Sequence, residues 1–137
     1  MESSSKEDYL RAIYHLHEEH EHVKSVEVAD YLIVSKPSVS EMLKELDKDG
    51  FIAYKPYSSI QLTKRGLRCA QNLTARHRII ESFLRDILKI EGKQIHEEAH
   101  RLEHAFSDES IARLHKLLGK PKNDPHGKPI PQLANNT

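Results

Sequence analysis

Apolar side chains recur every three or four positions along most of this chain, which is the period of an amphipathic α-helix. In the first segment, Ser4 and Glu7 have the spacing of a capping box, and an apolar stripe follows them. The stripe consists of Tyr9, Leu10, Ile13, Tyr14 and Leu16. The pattern predicts a first helix from about residue 5 to about residue 21.

A short helix, a tight turn and a longer helix are predicted next. Ser25 is the expected cap of a helix over 26–32, Ile33 and Val34 form the turn, and Ser35 caps a helix that runs to about residue 49. Pro37 lies in the first turn of that helix, where its missing N–H costs nothing. This order is the helix-turn-helix pattern, in which the second helix reads the major groove of DNA. An ordinary helical hairpin is the alternative, and the polar first turn favours DNA. The expected DNA-contacting residues are Ser35, Lys36, Pro37, Ser38, Ser40 and Lys44.

Two short β-prone runs, 51–54 and 60–62, follow Gly50 and are separated by a Pro-containing break. They predict a β-hairpin. A hairpin directly after a recognition helix is a wing, and Lys55, Tyr57 and Ser58 at its tip are expected to face the phosphate backbone.

The rest of the chain is predicted to be helical up to a Pro-rich tail. A long apolar-periodic segment begins at Thr63, a helix over 93–106 follows Gly92, and Ser107 caps a last helix over 109–118. The tail over 120–137 is expected to be irregular. The fold class is therefore mainly α, with an N-terminal winged helix-turn-helix followed by an all-helical part.

The helix predicted over 93–106 has an unusual polar stripe. His96, His100, Glu103 and His104 fall on one face, because residues separated by four, seven and eight positions share a helix face. Imidazole and carboxylate ligands suit first-row transition metals, so this stripe is a candidate metal site. A solvated, His-rich polar face is the alternative.

A second interpretation of the same stretch is enzymatic. His96, Glu97 and His100 match the H-E-x-x-H motif of zinc peptidases, in which two histidines bind zinc and the glutamate is the general base. A hydrolytic site also needs a third ligand, an open coordination position and a substrate cleft. The surrounding sequence offers no strand edge to hold a peptide, so the peptidase is kept only as a rival.

Composition adds limits to this picture. The chain has 137 residues, 31% of them charged, a formal net charge of zero and no Trp, so DNA affinity has to come from a local patch. Its single cysteine, Cys69, allows no internal disulfide, and no apolar run approaches the roughly 20 residues of a membrane span. A cytoplasmic protein without a membrane association is expected. Four of its ten histidines, His15, His17, His20 and His22, are expected to form a solvated surface on the first helix.

Several stretches, in this order, resemble the diphtheria-toxin-repressor and manganese-transport-regulator family of metal-dependent transcriptional repressors. They are Asp8–Tyr14, Ser35–Ser40, Leu62–Gly66, Arg76–Arg78, Glu98–His104 and His126–Pro131, and together they span nearly the whole chain.

The resemblance implies a winged helix-turn-helix DNA-binding domain over residues 1–70 and a helical metal-binding and dimerisation domain over 71–137. It implies a homodimer that binds a palindromic DNA operator, acts as a repressor in metal homeostasis, and is neither an enzyme nor a receptor for a small-molecule substrate. Larger members add an SH3-like domain, which the resemblance implies is missing here, because the chain ends six residues after Pro131.

The resemblance also implies two metal sites. The regulatory site takes Asp8, His100, Glu103 and His104, and the second site takes His77, Glu81 and His96.

Three positions make the ligand set a hybrid within this family. Asp8 is the choice of manganese-type members, whereas Arg11 stands where those members carry an acidic residue, and His100 replaces the Cys of iron types or the Glu of manganese types. Without a thiolate, the set fits Mn(II) or Fe(II) first, with Zn(II) or Co(II) also possible. A constitutive winged-helix regulator with a structural metal is the main alternative, beside the peptidase.

Overall fold

The computed structural model describes residues 4–133, and the chain divides into two compact units, Met1–Ala70 and Gln71–Thr137. The fold class predicted from the sequence is confirmed, since six helices and a two-stranded antiparallel sheet follow one another. In chain order these are α1 (Ser4–Glu19), α2 (Ser25–Leu32), α3 (Lys36–Lys48), β1 (Ile52–Ala53), β2 (Gln61–Leu62), α4 (Lys64–Asp86), α5 (Lys93–Glu103) and α6 (Asp108–Leu117).

The core of the first unit lies between the apolar faces of α1, α2 and α3. Residues three or four positions apart on each helix point inward, because this spacing brings them to one face. The fully buried members are Leu10, Ile13, Val28, Val39, Leu43 and Leu46. The packed α2–turn–α3 pair presents the first turn of α3 at the surface.

The cap of α2 differs from the prediction, whereas the cap of α3 confirms it. Lys24, not Ser25, is the N-cap of α2, and its backbone N–H donates to Glu27 Oε1 at 3.2 Å, so a carboxylate satisfies the end that a serine hydroxyl was expected to cap. Ser35 caps α3 by accepting from the backbone N–H of Ser38 at 3.2 Å.

The base of the hairpin is anchored to the helices. Ile52 pairs with Leu62 and Ala53 with Gln61, and the Ile60 N–H donates to the Val23 carbonyl at 2.7 Å. At the start of α4, a Cβ added to Gly66 would lie 1.8 Å from the Phe51 carbonyl oxygen. Only glycine permits this close approach, which holds the wing base against α4.

The second unit is built around a cluster of buried aliphatic side chains from α4, α5 and α6. Ile79, Ile80, Ile95 and Ile111 are central to it. The segment after α6 is irregular, as predicted, but it is fastened to α4, because Arg78 donates to the Pro129 carbonyl at 2.6 Å and Asn123 forms a β-bridge with Pro129. Residues 134–137 of the predicted tail lie outside the described residues. No described helix is long and apolar enough to cross a membrane.

Candidate metal centres and DNA-contacting surface

Three ionisable side chains of α4 and α5 form the first candidate centre, here called the His77 cluster: His77, Glu81 and His96. One ligand atom from each lies within 4.8 Å of the other two. His77 and Glu81 are one helical turn apart on α4 and share a hydrogen bond through His77 Nε2. His96 Nδ1 lies 3.4 Å from Glu81 Oε1.

Burial and charge oppose each other at Glu81, which is 5% exposed. Burial alone would raise the pKa of the Glu81 carboxyl, but hydrogen bonds and charge interactions with His77 and His96 outweigh it and hold that pKa well below its usual range. The carboxylate is therefore ionised and oriented toward two imidazoles, a donor set that suits a first-row divalent metal.

The second candidate centre, here called the His104 cluster, consists of His100, Glu103 and His104. One ligand atom from each again lies within 4.8 Å of the other two. The His100 and His104 rings meet edge to face at 5.5 Å, and His104 Nε2 lies 3.5 Å from Glu103 Oε1. His77 Nδ1 lies 2.8 Å from Glu103 Oε2, so one imidazole ring contacts a carboxylate of each cluster.

The predicted helix over 93–106 is too long, because α5 ends at Glu103 and His104 is its C-cap. Arg76 explains this end. Its buried guanidinium donates to the Glu103 carbonyl at 2.7 Å and to the Phe106 carbonyl, and it pairs with Asp108 at 2.8 Å. Carbonyls that would otherwise remain unsatisfied at a helix end are bound by a side chain, and the chain turns into α6.

The polar stripe that helix spacing predicts on α5 is divided between the two clusters. His96 belongs to the His77 cluster, while His100 belongs to the His104 cluster. The two histidines of the H-E-x-x-H match thus fall in different clusters, whereas the zinc site of a peptidase takes both of them as ligands.

A third group was missed in the sequence. Glu81 Oε2 lies 3.5 Å from His126 Nδ1, and Asp124 completes a set of ligand atoms within 4.8 Å of one another. Asp124 is 8% exposed, and its Oδ1 accepts from the backbone N–H groups of His126 and Lys128 at 2.9 and 2.8 Å. This turn directs His126 back toward α4. In the sequence, the family resemblance is the only signal that marks the His126–Pro131 stretch.

Asp8, the remaining predicted ligand of the regulatory site, lies on α1 of the first unit and is half-buried. Its role as a ligand stays a prediction.

The predicted DNA-contacting residues occupy two surfaces of the first unit. Ser35, Lys36, Pro37 and Ser38 are exposed at the first turn of α3, Lys44 is exposed further along, and Ser40 is half-buried. Lys55, Tyr57 and Ser58 are exposed at the tip of the hairpin. The two surfaces belong to consecutive elements.

The histidines of α1 are less uniform than expected. His15 stacks on Tyr31 with ring centroids 5.0 Å apart, and His17 Nε2 lies 2.9 Å from the Ile60 carbonyl oxygen, so both are half-buried contacts. His20 and His22, which follow α1, are exposed, as predicted. His17 therefore joins α1 to the base of the wing.

A winged helix-turn-helix followed by a helical unit rich in metal ligands defines a class of metal-responsive DNA-binding proteins. Two family models match this chain: the iron dependent repressor N-terminal DNA binding domain over residues 1–60, and the iron dependent repressor metal binding and dimerisation domain over residues 63–132. The chain belongs to this iron-dependent-repressor family.

Similar proteins and structures agree with this assignment. The diphtheria toxin repressor of Corynebacterium diphtheriae is 37% identical over 127 residues, which are 93% of this chain and 56% of that protein. An HTH-type transcriptional regulator of Methanocaldococcus jannaschii is 38% identical over 122 residues, 88% of this chain and 98% of its own length. The structure of a manganese-dependent transcriptional repressor in complex with manganese superposes with a TM-score of 0.85 at 36% identity, covering 93% of this chain and 58% of that one. This chain thus spans little more than half the length of the diphtheria toxin repressor that it matches.

Proposed function

We propose that this protein is a metal-dependent transcriptional repressor, in which a divalent transition metal is the corepressor and a homodimer binds a palindromic operator of metal-homeostasis genes. The observation that carries the proposal is the combination, in one chain, of an exposed first turn of α3 and two clusters of imidazole and carboxylate ligands, each built around a buried carboxylate, Glu81 or Glu103. Family membership supports the same combination.

The regulatory site is assigned to the His104 cluster together with Asp8. The support is twofold: His100, Glu103 and His104 present their ligand atoms to one another, and Asp8 matches the family's ligand position on the first helix. The His77 cluster is assigned to a second metal, with Asp124 and His126 sharing Glu81 as further donors.

The donor chemistry limits which metal fits. Carboxylate oxygens and imidazole nitrogens without a thiolate suit Mn(II) and Fe(II), and also Zn(II) or Co(II). One solved relative is a manganese-activated repressor, whose structures include forms with bound Zn²⁺ and Cd²⁺. We propose Mn(II) or Fe(II) as the physiological corepressor.

The bound metal would supply positive charge and a defined coordination geometry. Asp8 would then tie α1, and with it the winged helix-turn-helix, to the dimerising unit. Within the first unit, Lys6 pairs with Asp49 at 2.8 Å and His17 contacts the Ile60 carbonyl, so α1 is joined to the end of α3 and to the wing base. Fixing α1 therefore fixes both DNA-contacting surfaces.

A homodimer explains how this changes DNA affinity. Two recognition helices on a palindromic operator have to lie about 34–36 Å apart, one turn of the DNA. DNA-binding units that move freely lose conformational entropy when they bind the operator. DNA-binding units that a metal at Asp8 holds in place would not pay this entropic cost. Exposed apolar residues of the second unit, Ile87, Leu88 and Leu117, are candidates for the surface buried between subunits.

On the DNA, Ser35 and Pro37 at the first turn of α3 would enter the major groove, where a proline can contact a thymine methyl and a hydroxyl can bond base edges or phosphate. Lys36, Lys44 and Lys55 would contact the phosphate backbone.

The test is fluorescence anisotropy with a labelled DNA fragment from upstream of the chain's own gene, at constant salt. Binding is measured with chelator and then with Mn(II), Fe(II), Co(II) or Zn(II). A metal-dependent gain in DNA affinity supports the proposal, and the metal that produces this gain identifies the corepressor. Equal DNA binding with chelator and with metal would indicate a constitutive winged-helix regulator. The absence of specific DNA binding under all conditions would favour the peptidase, which an assay of peptide hydrolysis would test.

A further inference from the structure

The hairpin tip holds an aromatic residue in a backbone conformation that it rarely adopts. Ser58 closes the turn that begins at Lys55, because its backbone N–H donates to the Lys55 carbonyl at 3.0 Å and its hydroxyl does so at 2.7 Å. Tyr57 is the third residue of this turn, after Pro56, and its φ is +65°. Turns with proline second and a positive φ third normally place glycine or asparagine at that third position.

No packing contact of the Tyr57 side chain within the first unit offsets this backbone strain. Its side chain is 99% exposed, so the ring packs against nothing in the first unit. The other non-glycine residues with positive φ among residues 4–133, Ile33, Lys89 and Lys120, each follow a helix, where a left-handed residue commonly ends the helix. A strained and fully exposed residue is typical of a contact surface rather than of a structural position.

The sequence around the hairpin tip is basic, which suits binding to DNA. Residues 50–74 contain four basic residues, Lys55, Lys64, Arg65 and Arg68, and no acidic one, although the chain as a whole is neutral. The hairpin also follows directly after α3, and its base is held by the buried residues Ile52 and Ile60. A hairpin with a lysine at its tip, beside a helix that lies in the major groove, is placed to reach the next feature of the duplex, which is the neighbouring minor groove.

We infer that Tyr57 is a specificity-determining residue that enters the minor groove flanking each half-site and favours A·T pairs there. This inference rests on the proposed DNA-binding function. The ring can pack against deoxyribose, and the phenol O–H can donate to adenine N3 or thymine O2, the acceptors that A·T pairs show in the minor groove. A G·C pair adds the guanine amino group, which occupies that position with a donor.

The first experiment compares Tyr57→Asn, Tyr57→Phe and the wild type on a site selected from a random-sequence DNA pool with wild-type protein and Mn(II). Asparagine tolerates positive φ, so the turn is kept while the ring is removed. Tyr57→Asn should bind about 10-fold more weakly, in line with a lost aromatic contact, while its thermal midpoint does not fall. Tyr57→Phe should keep most of the affinity but lose preference between flanks. Lys120→Asn, which changes another exposed positive-φ residue, should bind as the wild type does.

The second experiment replaces the flanking A·T pairs by G·C or by inosine·C, which shows the A·T pattern in the minor groove and the G·C pattern in the major groove. Wild-type binding should fall with G·C and be retained with inosine·C, and Tyr57→Asn should not distinguish them. Equal affinity of Tyr57→Asn and wild type would overturn the inference, as would a lowered thermal midpoint or equal behaviour of the two flanks. Loss of metal-dependent binding by the wild type itself would instead count against the proposed function.

Discussion

The two ligand clusters of the second unit differ in where their ligands come from along the chain. The His77 cluster has two ligands one turn apart on α4 and a third from α5, and Asp124 and His126 approach the same carboxylate. The His104 cluster gathers at the end of α5, where Arg76 turns the chain, and its proposed fourth ligand, Asp8, belongs to the first unit. A site assembled within one unit is suited to stability, whereas a site that needs a ligand from the DNA-binding unit is suited to control.

The largest effect should come from removing Asp8, the proposed ligand that distinguishes the His104 cluster from the His77 cluster. We expect Asp8→Ala to lose about 100-fold or more in Mn(II)-dependent operator affinity, because the variant removes the ligand that is proposed to come from α1 and leaves the His77 cluster untouched. Anisotropy titration of operator DNA at saturating Mn(II) measures this. Asp86→Ala, at an exposed aspartate with no proposed ligand role, is the control. A wild-type response in Asp8→Ala would remove Asp8 from the account.

The second effect concerns the corner that holds the His104 cluster. Arg76→Met should lower the free energy of unfolding by about 3 kcal/mol, because the buried Glu103 carbonyl and the partly buried Phe106 carbonyl lose their donor. Urea denaturation without metal measures it. Arg113→Met, which removes an exposed arginine paired with Glu109, should change stability by less than about 1 kcal/mol. Equal losses in both variants would mean that Arg76 does not brace this corner.

The third effect tests whether the His77 cluster takes part in the regulation of DNA binding. Glu81→Gln should bind one fewer Mn(II) per chain and lose only about 10-fold in operator affinity, because it removes the charged ligand of the second metal and leaves Asp8 in place. Metal analysis after dialysis and operator titration measure the two quantities. Glu97→Gln, an exposed change on α5, should alter neither. An operator defect in Glu81→Gln as large as that of Asp8→Ala would erase the distinction between the clusters.

The smallest effect concerns the tie from α1 to α3. A hydrogen bond from Lys6 lowers the pKa of Asp49, so the pair stabilises the fold above the ordinary aspartate pKa of about 3.9. This contribution is lost as pH falls through the lowered pKa. Lys6→Met should therefore lower the thermal midpoint slightly near neutral pH and not at strongly acidic pH. A difference that persists unchanged in acid would have another cause.

Local spacing in the sequence predicted much of this structure. The capped turn of α3, the hairpin and the His77–Glu81 pair each depend on residues within a few positions of one another. The end of α5 at Glu103 was predicted wrongly, because it depends on Arg76, a residue 27 positions away. The approach of His126 to Glu81 was missed for the same reason, since it follows from how the segment after α6 is fastened to α4.

Metal binding at the His104 cluster and DNA binding are proposed to be coupled, and isothermal titration of Mn(II) into the protein with and without operator DNA measures this coupling. Coupling is reciprocal, so DNA must tighten metal binding by the factor by which metal tightens DNA binding. We expect operator DNA to raise the affinity for one Mn(II) per chain, and Asp8→Ala to abolish this rise. Mn(II) isotherms that are identical with and without operator DNA would contradict it.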